Sequence, residues 1–186
     1  MALDPALTEF TTASQSVTSY DYLDVDDGTG TVVYYITIHE TSGATFTYTL
    51  ERNIVRSAGM ASDQVILATA TTNVDVTFNT PKTVKGTATI SAEFQKSGNN
   101  MSMTVTIQKV SGAVVTDISS AVVSPTQTVD GYFFNMPIPL TETVFAAGDT
   151  LRLELFLNGA GSGIWADPTG STGLPAKVLI PFKLDI

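Results

Sequence analysis

Hydrophobic and polar residues alternate with a period of two over much of the chain. Met101, Met103, Val105 and Ile107 alternate with Ser102, Thr104, Thr106 and Gln108. Leu151, Leu153, Leu155 and Leu157 alternate with Arg152, Glu154 and Phe156. Val84, Ala88, Ile90, Ala92 and Phe94 share one side, opposite Lys85, Thr87, Thr89, Ser91 and Glu93, and Ala44, Phe46, Tyr48 and Leu50 alternate with threonines. Successive side chains of a strand point to opposite faces, so each pattern predicts a strand with one face inward. Further strands are expected over Thr31–His39, Gln64–Ala70, Asn73–Asn79, Gly131–Leu140 and Lys177–Lys183, with a weaker one over Ala113–Val122.

Turn residues separate these segments: Asp27-Gly28, Ser42-Gly43, the run Ser97 to Asn100, Ser111-Gly112, Asp130-Gly131 and the run Gly159 to Gly163. Ala6–Ser14 and Glu51–Ala61 have room for a turn or two of helix, but neither shows an apolar stripe at helical spacing. About ten strands joined by short turns predict an all-β protein, an antiparallel β-sandwich of jelly-roll type with an added N-terminal hairpin. Residues 1–16 read as an N-terminal arm and residues 17–186 as one sandwich domain. Gly86 falls on the apolar side of its strand and predicts a bulge or a close backbone approach. Pro137 and Pro139 lack backbone donors on one side of theirs, which predicts an edge strand. The segment Asn158–Pro175, rich in Gly, Pro and Ser, reads as a long loop that carries the single tryptophan, Trp165.

Composition narrows the function. Asp and Glu total 18 against 9 Lys and Arg, a formal net charge of −9. Phosphate backbones call for the opposite balance, so direct nucleic-acid binding is not expected. No Lys or Arg occurs through Leu50. That acidic stretch reads as a solvated surface, or as a face for a basic partner. Without cysteine there is no disulfide framework and no thiolate metal site. The N-terminal residues MALDPALTEF lack a basic start and an apolar run, and no stretch of about 18 apolar residues occurs. The chain therefore reads as complete, made and assembled inside a cell without a signal peptide, and with no membrane partner.

Catalytic patterns are absent from the sequence. His39 is the one histidine, near a strand end, with no Gly-x-Ser-x-Gly elbow and no Cys to serve as nucleophile. The Gly-rich run from Gly159 to Gly163 has no Lys and no helix behind it, and reads as a loop tip rather than a phosphate cradle. Asp24, Asp26 and Asp27 precede Gly28, but the position an EF-hand reserves for its closing Glu holds Tyr34. These aspartates are the metal candidates, for a looser calcium site; an exposed turn is the preferred reading. No cofactor is expected. Adjacent aromatics in a strand face opposite ways, so if Tyr34 and Phe134 are inside, Tyr35 and Phe133 are outside or covered by another subunit. Tyr35, Phe133, Trp165 and Asp167 are the candidate contact residues.

Several stretches, in the same order, resemble structural proteins of tailed phages and uncultivated aquatic viruses. They are the run from Ser19 to Gly30 (SYDYLDVDDGTG), the run from Pro81 to Ala88 (PKTVKGTA), the run from Phe145 to Leu153 (FAAGDTLRL), Asp167-Pro168, and the run from Ile180 to Lys183 (IPFK). The resemblance implies a virion component with a β-sandwich fold, nearest to head decoration (cement) proteins. Its implied partners are the major capsid protein and copies of itself, often as a trimer, on the outer capsid surface. It brings no catalytic residues, and it supports Tyr22, Asp24, Gly28 and Gly30 as a shared turn. The expected function is a non-enzymatic decoration protein that stabilises the mature head by binding that state alone. The alternatives are a receptor- or glycan-binding jelly roll on a spike or fibre, with Trp165 and its loop as contact site, a shell-forming capsid protein, and, disfavoured, a polysaccharide-cleaving enzyme.

Overall fold

Among the described residues there are twelve strands, most of them where the alternation places them. The computed structural model describes residues 29–40, 46–52, 64–67, 71–96, 100–128, 132–159, 162–167 and 175–183. The strands are β1 (Thr29–Glu40), β2 (Phe46–Glu51), β3 (Gln64–Leu67), β4 (Thr71–Thr77), β5 (Lys82–Lys96), β6 (Ser102–Ser111), β7 (Val114–Asp117), β8 (Val122–Val123), β9 (Tyr132–Phe145), β10 (Thr150–Asn158), β11 (Ser162–Asp167) and β12 (Lys177–Lys183). Their order is β3-β11-β5-β12-β1-β2-β4-β10-β6-β7, with β9 on β5 and β8 on β6. Every pairing is antiparallel except β2 with β4, which touch at the single pair Thr49 and Asp75. That contact is the seam between two layers. One contains β9, β5, β12, β1 and β2, with β11 and β3 at its side; the other contains β4, β10, β6, β7 and β8.

The two inner faces share one hydrophobic core. Ile36, Ile90, Phe94, Ile138 and Ile180 from the first layer are wholly buried, as are Met103, Val105, Ile107, Leu151, Leu153 and Leu155 from the second. Phe78, just past β4, packs edge-on against Phe145 of β9 and Phe182 of β12, with ring centroids 5.2 and 5.7 Å apart. Burial of each such side chain contributes about 1.5–3 kcal/mol. The protein is therefore an all-β, antiparallel sandwich, as the period of two predicts. The strand order supports the sandwich and leaves its jelly-roll type an expectation from the number of strands.

Three local expectations meet their physical cause. β9 pairs only with β5 among the described strands, and Pro137 and Pro139 lie exposed along that edge. At Gly86 the register between β5 and β9 shifts, φ is +114°, and a Cβ would stand 3.3 Å from the Pro181 side chain. Bulge and close approach thus coincide there. Gly112, at φ +57°, makes the tight β6–β7 turn that Ser111-Gly112 signals.

Three segments depart from the sequence reading. The segment expected as one strand over Ala113–Val122 is two, β7 and β8. Between them Ile118 turns into the core, and Ser119 Oγ accepts the Ile107 N–H at 2.9 Å. Ser124 Oγ accepts the Met103 N–H at 2.9 Å. Serine side chains thus take up backbone donors of β6 where no strand continues. The Asn158–Pro175 loop is interrupted by β11, which pairs Ile164 with Phe94 of β5 and with Ile66 of β3. Two apolar residues among glycines carry too short an alternation to announce a strand. Glu51, expected to open a helical turn, closes β2, and residues 53–63 lie outside the described set. So does the N-terminal arm, residues 1–16.

The β9–β10 connection is held by Asp149. Its Oδ2 accepts the Ala146 N–H at 2.7 Å and lies 2.9 Å from Lys109 Nζ. Lys109 also donates to Val144 O at 2.6 Å and stands 5.5 Å from the Phe145 ring centre. The Ser111 hydroxyl, the Lys109 ammonium and the Ala146 N–H hold the Asp149 carboxyl down at about 2, from an ordinary 3.8. A carboxyl whose pKa is lower folded than unfolded stabilises the fold above the unfolded value and loses that contribution as pH falls through the folded one. Thermal melts of the native protein and Asp149→Asn are therefore expected to differ, with the native protein higher, by a constant interval above about pH 4.5. The interval closes as pH approaches 2. An interval unchanged at pH 2 would show that the charge contributes nothing.

Candidate docking face and cleft

Of the strands that carry the sequence-predicted contact residues, β9 and β11 flank β5, and β1 lies one strand further away, beyond β12. Phe133 of β9 is paired with Glu93, and it is exposed, whereas Phe134 is buried. Tyr35 of β1 is paired with Lys177 of β12, which is paired in turn with Ser91 of β5. Tyr34 is buried and Tyr35 half-buried. Tyr35 and Phe133 thus occupy the outer face of the first layer, the split that adjacent aromatics require. Trp165 and Asp167 are backbone members of β11, paired with Val65 and Gln64 across a bulge, rather than parts of a loop; their side chains lie outside the described set. Asp24, Asp26 and Asp27 also lie outside it. His39 is paired with Thr47 in the β1–β2 hairpin. Among the described residues no group of three His, Cys, Asp or Glu could hold a metal, and no helix is long and apolar enough to cross a membrane.

The first layer's outer face is partly closed. Thr37 is fully buried, and Ser91 and Glu93 are buried as well. Ser91 Oγ donates to Asn135 Oδ1 at 2.5 Å, and the Thr37 and Thr49 hydroxyls share a hydrogen bond at 2.9 Å.

The outer face of the second layer is more open, and its side chains fall in cross-strand rows. In one row stand Asp75, Arg152, Gln108 and Asp117, on β4, β10, β6 and β7. Arg152 Nε and Nη2 donate to the two Asp75 carboxylate oxygens at 2.8 and 2.7 Å, a bidentate geometry. The Asp75 hydrogen bonds raise the Arg152 pKa above its ordinary value. Gln108 Nε2 donates to Asp117 Oδ1 at 2.9 Å. Another row places Phe156, Thr104 and Val123 side by side on β10, β6 and β8. Val115 sits opposite Val110, about 20 Å further along β6. Phe156, Val123 and Val115 are 40%, 58% and 49% exposed. This face therefore has apolar ends around a charged centre in which Arg152 neutralises Asp75, while Asp117 and Glu154 leave a net negative charge. The sequence shows Phe156 on the polar side of its strand. Its alignment with Val123 needs the β6–β8 register, which no local pattern reveals.

A cleft of about 410 Å³ opens at the seam between the layers. It is lined by Tyr34 and Leu50 at its base, with Arg52, Thr77, Asn79 and Lys82 among the residues at its rim. Sequence reasoning passes over it because these residues come from three separate stretches, at residues 34, 50–52 and 76–82.

No protein-family model matches the chain, and no curated protein matches it. Among solved structures, the chain is similar to an aminopeptidase from the marine sediment archaeon Thaumarchaeota archaeon, at a TM-score of 0.49 and 12% identity, over 61% of this chain and 26% of that one. It is similar to an α-amino acid ester hydrolase at a TM-score of 0.48 and 10% identity, over 81% of this chain and 35% of that one. It is also similar to a chain in the structure of infectious bursal disease virus Gx strain, at a TM-score of 0.25 and 11% identity, over 82% of this chain and 48% of that one. The chain thus spans well under two thirds of each of these proteins, and similarities of this strength transfer neither site nor activity.

Proposed function

We propose that the protein is a non-enzymatic virion structural protein, a head decoration protein that docks on the major capsid protein lattice beside copies of itself. The observation that carries this reading is the outer face of the second layer, with Phe156 and Val123 exposed on either side of Thr104 and Val115 beyond them. Large apolar side chains gathered on an open sheet face favour a protein partner. The charged centre fits the same use. Asp75 is already neutralised by Arg152 within the chain, whereas Asp117, bonded only to the neutral amide of Gln108, and Glu154 keep a net negative charge that a basic partner surface would complement. The sequence resemblance supplies the identity of the partner.

Co-sedimentation with particles of the encoding virus, with copies counted per particle, tests this. The native protein is expected on the head at high copy number. Val123→Asp and Phe156→Asp together are expected to abolish binding with little change in melting temperature, because both side chains are substantially exposed. Undiminished binding by this variant, or a few copies confined to the tail, would overturn the proposal. The second outcome would favour receptor binding through β11.

A further inference from the structure

The cleft follows from the seam. β2 and β4 run parallel yet meet only at Thr49 and Asp75. Beyond that pair the two chains separate, and the residues that follow, Leu50 to Arg52 on one side and Val76 to Thr80 on the other, form its opposite walls. Tyr34 of β1 closes the base, and Lys82, at the start of β5, stands at the rim. The volume, about 410 Å³, lies at the small end of the range of about 300–1,000 Å³ for small-molecule sites.

The chemistry of the walls is selective. Two of the nine cations in a chain of net charge −9 converge here, Arg52 and Lys82, with one carboxylate, Glu51. The ion pairs among the described residues are Lys85–Glu142, Lys183–Glu142, Lys109–Asp149 and Arg152–Asp75, none of which uses Arg52 or Lys82. Burial pushes the Tyr34 phenol above its ordinary pKa of 10, against the opposing influence of the nearby Arg52 guanidinium. The hydroxyl therefore stays protonated at neutral pH and keeps a proton to donate. Thr77, Asn79 and Thr80 add hydroxyl and amide groups.

We propose that this cleft binds a small hydroxylated monocarboxylate, a sugar acid, with its carboxylate between Arg52 and Lys82 and its hydroxyls toward Tyr34, Thr77 and Asn79. Two cations against one carboxylate leave a local charge of one, which suits a monoanion better than a phosphate dianion. An Arg guanidinium offers two parallel donors to a carboxylate. The polar rim selects against a purely apolar acid, whose burial would leave those groups unpaired. The ligand is either a free acid or the terminal residue of a glycan. The cleft lies at the seam rather than on the docking face, so this proposal stands independently of the capsid reading.

The test is an NMR titration of the whole chain with D-glucuronate, methyl β-D-glucuronide and, as the neutral control, methyl β-D-glucoside. Saturable shifts are expected for amides of residues 50–52 and 77–82 with glucuronate, and none with the neutral glucoside. Arg52→Gln and Lys82→Gln, both changes at exposed side chains, are each expected to weaken glucuronate binding about tenfold or more while leaving the remaining spectrum in place. Equal binding of the glucuronide and the free acid assigns the site to a glycan end; binding of the free acid alone assigns it to a soluble acid. Absence of saturable shifts at tens of millimolar glucuronate, equal response to the neutral glucoside, or shifts indifferent to both substitutions would overturn the proposal.

Discussion

Replacing Phe94 by alanine is expected to lower stability by about 3–5 kcal/mol. The side chain is wholly buried on β5, the strand that β9 flanks on one edge and β12 and β11 on the other. Its ring is stacked on Phe134 of β9, with centroids 4.6 Å apart and planes 24° apart. The Phe94 backbone is paired with Tyr132 and with Ile164, so the ring sits where three strands adjoin. Alanine removes the transferred apolar surface, leaves a cavity that flanking strands cannot close, and ends the aromatic contact. For a chain of this length the melting temperature is expected to fall by roughly 6–20 °C. Phe94→Leu, which conserves most of the volume, is the control and is expected to cost under about 1.5 kcal/mol. Denaturant unfolding of the three proteins checks this; a loss below about 1 kcal/mol for Phe94→Ala would show that the ring is not part of the packed core.

Gly86→Ala is expected to be the second most costly change, although the residue it adds to is exposed and the added group is a methyl. The backbone at φ +114° is a conformation that side-chain-bearing residues adopt only under strain, at about 1–3 kcal/mol. The new Cβ would also meet Pro181 Cγ at 3.3 Å and Cβ at 3.4 Å. The two contributions separate in a double-mutant cycle with Pro181→Ala. Relief of the close contact appears as a favourable coupling, while the backbone cost persists in the double variant. A neutral Gly86→Ala would mean that the β5–β9 register shift relaxes freely.

The docking proposal and the cleft proposal depend on different parts of the sandwich. The first needs the flat outer rows of β10, β6 and β8; the second needs the seam where β2 and β4 diverge. Val123→Asp with Phe156→Asp, and Arg52→Gln or Lys82→Gln, thus form separable tests on one protein. A decoration protein that also holds a sugar acid would carry glycan contact to the outside of the particle.

The alternation of side chains determined the strands, their inward faces and the all-β class, because a strand's period of two is a property of neighbouring residues. Met101 to Ile107 and Leu151 to Leu157 are buried at every position the pattern assigns. The edge prolines of β9 and the strained glycine in β5 were equally legible, since a missing donor and a missing Cβ are local facts. What only the tertiary structure decided was which strands meet. β11 exists because β5 and β3 offer it partners, although its own residues read as a loop. The interruption between β7 and β8 is met by Ser119, and the end of β8 by Ser124, each accepting a backbone N–H of β6. The docking rows and the cleft belong to the same class, for each gathers residues far apart in the chain through backbone pairing. The register that aligns them is set by long-range hydrogen bonds and shared core packing, which leave no periodic mark on any one segment.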